Sequence, residues 1–340
     1  MQIQTKIHDD ALCNQLDAYL NSIYASHLPG AAVLVAKREE PILRAAYGMA
    51  QIDEPRPMAI NSVFRIGPLT KQFTAAAIML LVQREQLHLQ DDLRQHLPYY
   101  PALDHGIRLE HLLNHTAGIP CFTDHPDFAF LESRNLSPMQ VLALFEKAPL
   151  LFEPGSQFSY SNSGYFLLGL VIERVSGMSL ADFFETQMFV PLGMRFTGIE
   201  GRAGYKPIAG YSEEPNLQAA PEINMAIPFA AGALVSTIDD LFLWERHIAH
   251  STLLSKESWQ RMCAPTRLLS GETSDYGYGL ENRQIHGKHV VDHDGGISGF
   301  SAYSARVVDS GLFVCVLSNN DSGQPSTTEV GEALLYYVTS

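Results

Sequence analysis

Lys71 follows Pro68 by three residues at the head of a long apolar-periodic run, and on a helix that spacing puts both positions on one face. An amine there can accept or relay a proton for a group held at position 68. Proline offers no such group, because it has neither a nucleophilic atom nor a backbone N–H. A second candidate set is Tyr160-Ser161-Asn162, preceded by Glu153-Pro154-Gly155 and followed by a helical pattern from Gly164. A phenol titrates at about 10 when unperturbed, so Tyr160 can act as a base only where a cation such as Lys71 favours the phenolate. A third set is His293-Asp294-Gly295-Gly296, on or just after a strand, where paired glycines let a ligand approach the backbone closely.

Each of these residues also has a plain structural role. Lys71 can be a solvated helix residue, Tyr160 and Asn162 a turn and a helix cap, and His293 an ordinary strand residue. Among nearby hydroxyls, Thr70 lies about 100° around the helix from Lys71 and Thr74 sits a turn deeper, so neither is placed to replace a missing nucleophile. Ser161 is a weak substitute that can face the cleft. His111 and His115 have a spacing that two metal ligands can use, but no third ligand is signalled; no metal and no cofactor is expected, and His115 is read as a structural hydrogen-bonding residue. The loop Cys121 to Phe130 either lines a cleft or is a surface loop.

The elements that must position these residues follow from periodicity and punctuation. An amphipathic helix is predicted from Asp9 to Ser26, then a hairpin from Ala31–Lys37 and Ile42–Gly48, and a long helix from Pro68 to about Gln86, with proline at its first position. Helical patterns broken by Pro and Gly occupy Asp91 to Phe229, including Leu109–Asn114, Pro138–Lys147, Gly164–Val175 and Leu180–Phe189. Helices at Thr237–Ala249 and Lys256–Cys263 precede strands at Tyr276–Leu280, His289–Asp292, Phe300–Val307 and Leu312–Leu317. A closing helix covers Thr327–Val338. This order predicts an α+β fold: residues 1–67 and 230–340 build a lobe with an antiparallel sheet flanked by terminal helices, residues 68–229 form an inserted all-helical lobe, and the cleft lies between them.

The three motif segments resemble the active-site signature of the serine β-lactamase and penicillin-binding-protein family, in its class C β-lactamase, esterase and D-aminopeptidase branch. Phe64-Arg65-Ile66-Gly67-Pro68-Leu69-Thr70-Lys71 is similar to the segment holding Ser-x-x-Lys, Tyr160-Ser161-Asn162 to Tyr-x-Asn, and His293-Asp294-Gly295 to the Lys-Thr-Gly strand in its His-x-Gly form. Asn114-His115-Thr116-Ala117-Gly118 is similar to a His-Thr-Ser-Gly element of the helical lobe. The resemblance runs in the family's order from about Ala31 to Asn319. It implies that Lys71, Tyr160, Asn162 and His293 are the catalytic set, that Gly295 and Gly296 bind substrate with the Gly296 N–H as an oxyanion donor, and that position 68 should carry the nucleophilic serine. With Pro68 there, covalent hydrolysis of esters, β-lactams or D-peptides is expected to be absent or weak. The alternatives are a non-catalytic ligand-binding protein and a non-covalent enzyme using Lys71 and Tyr160 as acid and base.

Composition bounds the rest. The 340 residues are 46% hydrophobic and 18% charged, which suits a folded interior rather than long disordered arms. The formal net charge of -14, spread along the chain, leaves no basic surface for nucleic acid. The longest apolar stretch, Ala75 to Val82, is too short for a membrane span of about 20 residues. Met1 to Asp10 lacks the pattern of a secretory signal, so a cytoplasmic location is expected, and the four scattered cysteines are read as reduced and structural. The expected partner is a small-molecule or peptide ligand in the cleft, and oligomeric state is not signalled.

Overall fold

The computed structural model of the protein describes residues 10–101, 106–202, 205–213 and 216–339; the predicted helix start at Asp9 and the amino-terminal segment read for a signal lie wholly or partly outside them. Six strands form one antiparallel sheet: β1 (Ala31–Lys37), β2 (Glu40–Tyr47), β3 (Glu281–Ile285), β4 (Lys288–Ile297), β5 (Phe300–Val307) and β6 (Leu312–Ser318), in the spatial order β3-β4-β5-β6-β1-β2. β1 is an interior strand next to the edge strand β2, with Val33 opposite both Val316 and Ala45. It is apolar along nearly its whole length because each face meets a different core. Ala31, Val33 and Val35 pack with Leu16, Leu20, Val330 and Leu334 of the terminal helices α1 (Asp10–Ile23) and α7 (Thr327–Thr339). Ala32, Leu34 and Ala36 join the larger core on the other face, with Ile78 and Leu81 of α2 (Thr70–Gln83). The period of two of a strand thus divides the two cores, although the run itself is continuously apolar.

The central helix differs from its predicted form at both ends. Gly67–Leu69 is a 3₁₀ turn holding Pro68, and the α-helix proper begins at Thr70. It stops at Gln83, three residues short of the predicted Gln86, and Glu85 takes a left-handed conformation (φ 56°). Three further helices bear on the site or its surroundings. α3 (Leu109–Leu113) leads into the His115 loop, α4 (Asn162–Ser176) follows Tyr160, and α6 (Lys256–Cys263) comes after α5 (Ile238–Ala249). α5 and α6 are capped by Thr237 and Ser255, whose hydroxyls accept the N–H groups of Asp240 and Ser258.

Two predicted elements are corrected. Tyr276–Leu280 is not a strand; the edge strand β3 begins at Glu281. A side chain at Gly277 would put its Cβ 2.1 Å from the Met262 carbonyl oxygen, and one at Gly279 2.6 Å from that of Lys71, so this segment presses on α6 and α2 instead of running on in the sheet. Residues 68–229 were also expected to be all-helical, but the described residues between Met194 and Pro228 form no helix. Gly198–Ile199 pairs with Leu234–Ser236, and Tyr211–Ser212 pairs with Gln218–Ala219, while the Tyr211 N–H donates to the Asn319 carbonyl beside the main sheet. Pro207 and Pro221 interrupt any helical ladder there. Among the described residues, no helix is long and apolar enough to cross a membrane.

Candidate active site

The turn at Pro68 is pinned from two sides. Phe64–Arg65 pairs with Val235–Ser236, and the Arg65 guanidinium holds Glu200 through bonds of 2.7 and 2.9 Å. Gly67, at φ 48°, turns the chain beneath the end of β4, where a Cβ would sit 3.3 Å from Ile297. β3 pairs with β4 only as far as Asp292, so residues 293–297 are bonded to β5 alone and their other edge is open. Ile297 and Phe300 flank a two-residue turn. Ladder alternation therefore commits the Gly295 backbone to β5 and turns that of Gly296 to the open edge, beside Pro68.

The two glycines do different work. A Cβ at Gly295 would lie 2.7 Å from the Ile66 carbonyl oxygen and 3.3 Å from Pro68 Cδ, whereas one at Gly296 would meet nothing within 4 Å. Gly295 is thus required by packing of strand against turn, and Gly296 by access. Gly295→Ala is expected to cost about 1–3 kcal/mol in denaturant unfolding, as overpacking does, while Gly296→Ala stays within about 0.5 kcal/mol. Equal losses from the two would contradict this geometry.

Lys71 is fully buried. Its ammonium donates to Asn162 Oδ1 at 2.7 Å and to the Ala231 carbonyl at 2.9 Å, and stands 4.8 Å from the ring centre of Tyr160 and 5.6 Å from that of Tyr165. Burial pushes the amine down to about 7, against a partial upward pull from Cys121 and Asp294. Asn162 is the first residue of α4 rather than its cap, a place taken by Ser161. The Asn162 N–H donates to Cys121 Sγ at 3.2 Å, and that sulfur also lies 3.0 Å from Thr123 Oγ1. Cys121 therefore belongs to the site; its thiol was read from sequence as structural, while the loop it begins was read as either lining a cleft or lying on the surface. Its place directly after His115-Thr116-Ala117-Gly118-Ile119-Pro120 was the available signal.

Tyr160 and His293 meet in an aromatic cluster. The His115 ring lies 4.3 Å from that of Tyr160 and 4.7 Å from that of Tyr276, and the Tyr276 hydroxyl is 3.0 Å from His293 Nε2. His293 Nδ1 bonds the Asp294 carbonyl. Burial, then repulsion by Lys71, holds His293 down at about 4, and the same two causes push His115 well below the usual histidine range. Burial and the neighbouring Tyr165 and Asp294 push the Tyr160 phenol upward. Tyr160 keeps 36% of its surface in solvent, whereas Tyr165 and Tyr276 are enclosed. The condition set for a phenolate base is not met: Lys71 sits over the face of the Tyr160 ring, and the phenol stays protonated.

The alternative hydroxyls are committed elsewhere. Thr70 Oγ1 accepts the Leu234 N–H, and Thr74 donates to the Ala230 carbonyl at 2.7 Å. Ser161, which sequence allowed to face the cleft, instead lines a small internal space with His111, His115 and Gly164, where its hydroxyl has no partner. His111 Nδ1 accepts the Arg108 N–H and His115 Nδ1 the Ser161 N–H, so the two rings serve different backbone donors. Among the described residues, no group of three or more His, Cys, Asp or Glu side chains is placed to hold a metal. The cleft itself is a cavity of ≈ 200 Å³ walled by Pro68, Phe122, Asn162, Ile227, Ala231 and Gly296, with Glu132 among its few polar groups. Such a space can hold an acyl or peptide group against the free edge of β4, next to a buried amine.

Fold and site together define a β-lactamase/transpeptidase-like protein, and the chain belongs to the Beta-lactamase family, whose model matches residues 11–338. It is 31% identical over 344 residues to penicillin-binding protein 4* of Bacillus subtilis, covering 94% of this chain and 74% of that one. It is 26% identical to the D-aminopeptidase of Gluconobacter oxydans, covering 92% of this chain but only 60% of that relative's length. Among solved structures, it is similar to the octameric penicillin-binding protein homologue of Pyrococcus abyssi, with a TM-score of 0.83 at 25% identity and coverage of 96% and 77%. It is also similar to a D-stereospecific amidohydrolase of Streptomyces sp., with a TM-score of 0.80 at 26% identity and coverage of 96% and 98%.

Proposed function

We propose that this protein is a β-lactamase-family acyl-transfer scaffold in which serine-type covalent hydrolysis is absent or weak, and that its cleft holds a small acyl compound or peptide. The observation that carries the reading is Pro68 at the cavity wall, beside a buried Lys71 still bonded to Asn162. The lysine, asparagine and open strand edge keep the form of a substrate site, while position 68 lacks both the attacking oxygen and one N–H of an oxyanion cradle. The likeness to proteins named penicillin-binding protein, D-aminopeptidase and D-stereospecific amidohydrolase supports D-peptides, D-amides and penicillin-type lactams as ligand classes to try, and an acyl ester extends the set to a simpler acyl group.

Calorimetric titration with an acyl-D-Ala-D-Ala peptide, a β-lactam and an acyl ester tests the reading. At least one should bind without being consumed, and a fluorophosphonate probe should leave the protein unlabelled. Failure of all three to bind, or rapid probe labelling, would overturn it. One observation favours a second reading: an amine at about 7 opposite a protonated phenol is an acid–base pair suited to non-covalent proton transfer. That version requires a turnover that disappears in Lys71→Ala combined with Tyr160→Phe.

A further inference from the structure

Away from the cleft, a second cavity of ≈ 360 Å³ opens between the start of α3, the end of α6 and the hairpin formed by Thr266–Arg267 and Thr273–Ser274. In a chain of net charge -14, its wall gathers Arg108, Arg261, Arg267 and His111. Its one carboxylate, Glu110, is saturated. Oε1 accepts from the Tyr278 hydroxyl at 2.6 Å and from Arg261 at 2.9 Å, and Oε2 accepts from the Gln90 amide. Arg261 and Glu110 therefore cancel. Arg108 gives one N–H to the neutral Gln90 side chain, and among the described residues neither Arg108 nor Arg267 forms an ion pair, so two positive charges remain uncompensated. His111 adds a neutral donor: Nδ1 accepts the Arg108 N–H, which leaves the ring proton on Nε2, next to Gly155 in the same wall.

Two guanidinium forks and an imidazole N–H around a concave space make the donor set that recognises a planar or tetrahedral oxyanion. We propose that this cavity is a binding site for a small oxyanion-bearing molecule, of carboxylate or phosphate chemistry, separate from the cleft. The site does not depend on the reading of position 68, because none of the residues named here lines the cleft.

The experiment is isothermal titration of the whole protein at low ionic strength with inorganic phosphate and with citrate, each against a chloride blank. At least one should bind, and which of them binds identifies the chemistry. Affinity should fall with added sodium chloride and drop at least about tenfold in Arg108→Ala combined with Arg267→Ala. Both arginines are exposed, so the double variant should fold, as circular dichroism can verify; Arg267→Glu offers a second, charge-reversing test expected to lower affinity further. If neither anion binds at millimolar concentration, or if binding survives unchanged in the folded variants, the proposal fails.

Discussion

Replacing Pro68 with serine should raise ester turnover by at least about two orders of magnitude and make position 68 reactive to a fluorophosphonate probe. Two gains act together in that variant: an attacking hydroxyl near the Lys71 amine, and a backbone N–H where proline has none. A single oxyanion donor is worth about a hundred- to a thousandfold in rate on its own. Pro68→Ala separates the two, since it restores the N–H alone and should remain unlabelled. In the Pro68→Ser background, Lys71→Ala should return turnover to the starting level, because a fully buried amine held at about 7 is poised to take the hydroxyl proton near neutral pH. Comparable probe labelling of the unaltered protein and of Pro68→Ser would overturn the proposal that proline keeps covalent hydrolysis weak.

The second large effect concerns stability. Lys71 titrates near its ordinary value of 10.5 in the unfolded chain and at about 7 in the folded one. Below 7 both states carry the proton and the full cost of burying the charge is present. Between 7 and 10.5 the unfolded chain holds the extra proton, so raising the pH stabilises the fold. Relative to Lys71→Met, which cannot titrate, the protein should gain on the order of 4 kcal/mol between pH 7 and pH 10. Guanidinium unfolding of both proteins at the two pH values reads this directly. A constant gap between them would mean that the amine is not held down in the native state. His293 works in a different window: its downward shift to about 4 makes stability fall as pH drops from about 6.5, so it does not interfere.

Much of this was legible in the residues. The Pro68/Lys71 spacing, the Tyr160-Ser161-Asn162 triplet and the glycine pair at 295–296 located the pieces of the site, and β-rich runs bounded by turn residues located β1, β5 and β6. What sequence could not give was direction. Ser161 lies between two residues of the candidate site yet turns inward, because the chain there is leaving an extended conformation to enter α4. Lys71 looked able to support a Tyr160 phenolate, but the ring presents its face, not its oxygen, to the amine. Tyr276–Leu280 had the composition of a strand, and only the closeness of Lys71 and Met262 to its two glycines explains why it is pressed against helices instead. The loop that begins at Cys121 was one of the segments able to line a cleft, but the bond from the Asn162 N–H to the Cys121 sulfur was not legible, because no side-chain pattern advertises a backbone donor.

The pairing of β1 with β6 joins parts of the chain far apart in sequence; the Ser318 hydroxyl reaches the Gly30 carbonyl across 288 positions. On the ribosome, the β1–β2 hairpin must wait with one apolar edge unpaired until β6 has emerged. Such long-range closure is slow and exposes nascent chains to aggregation, so the yield of this protein in a cell depends on what shields that edge in the interval.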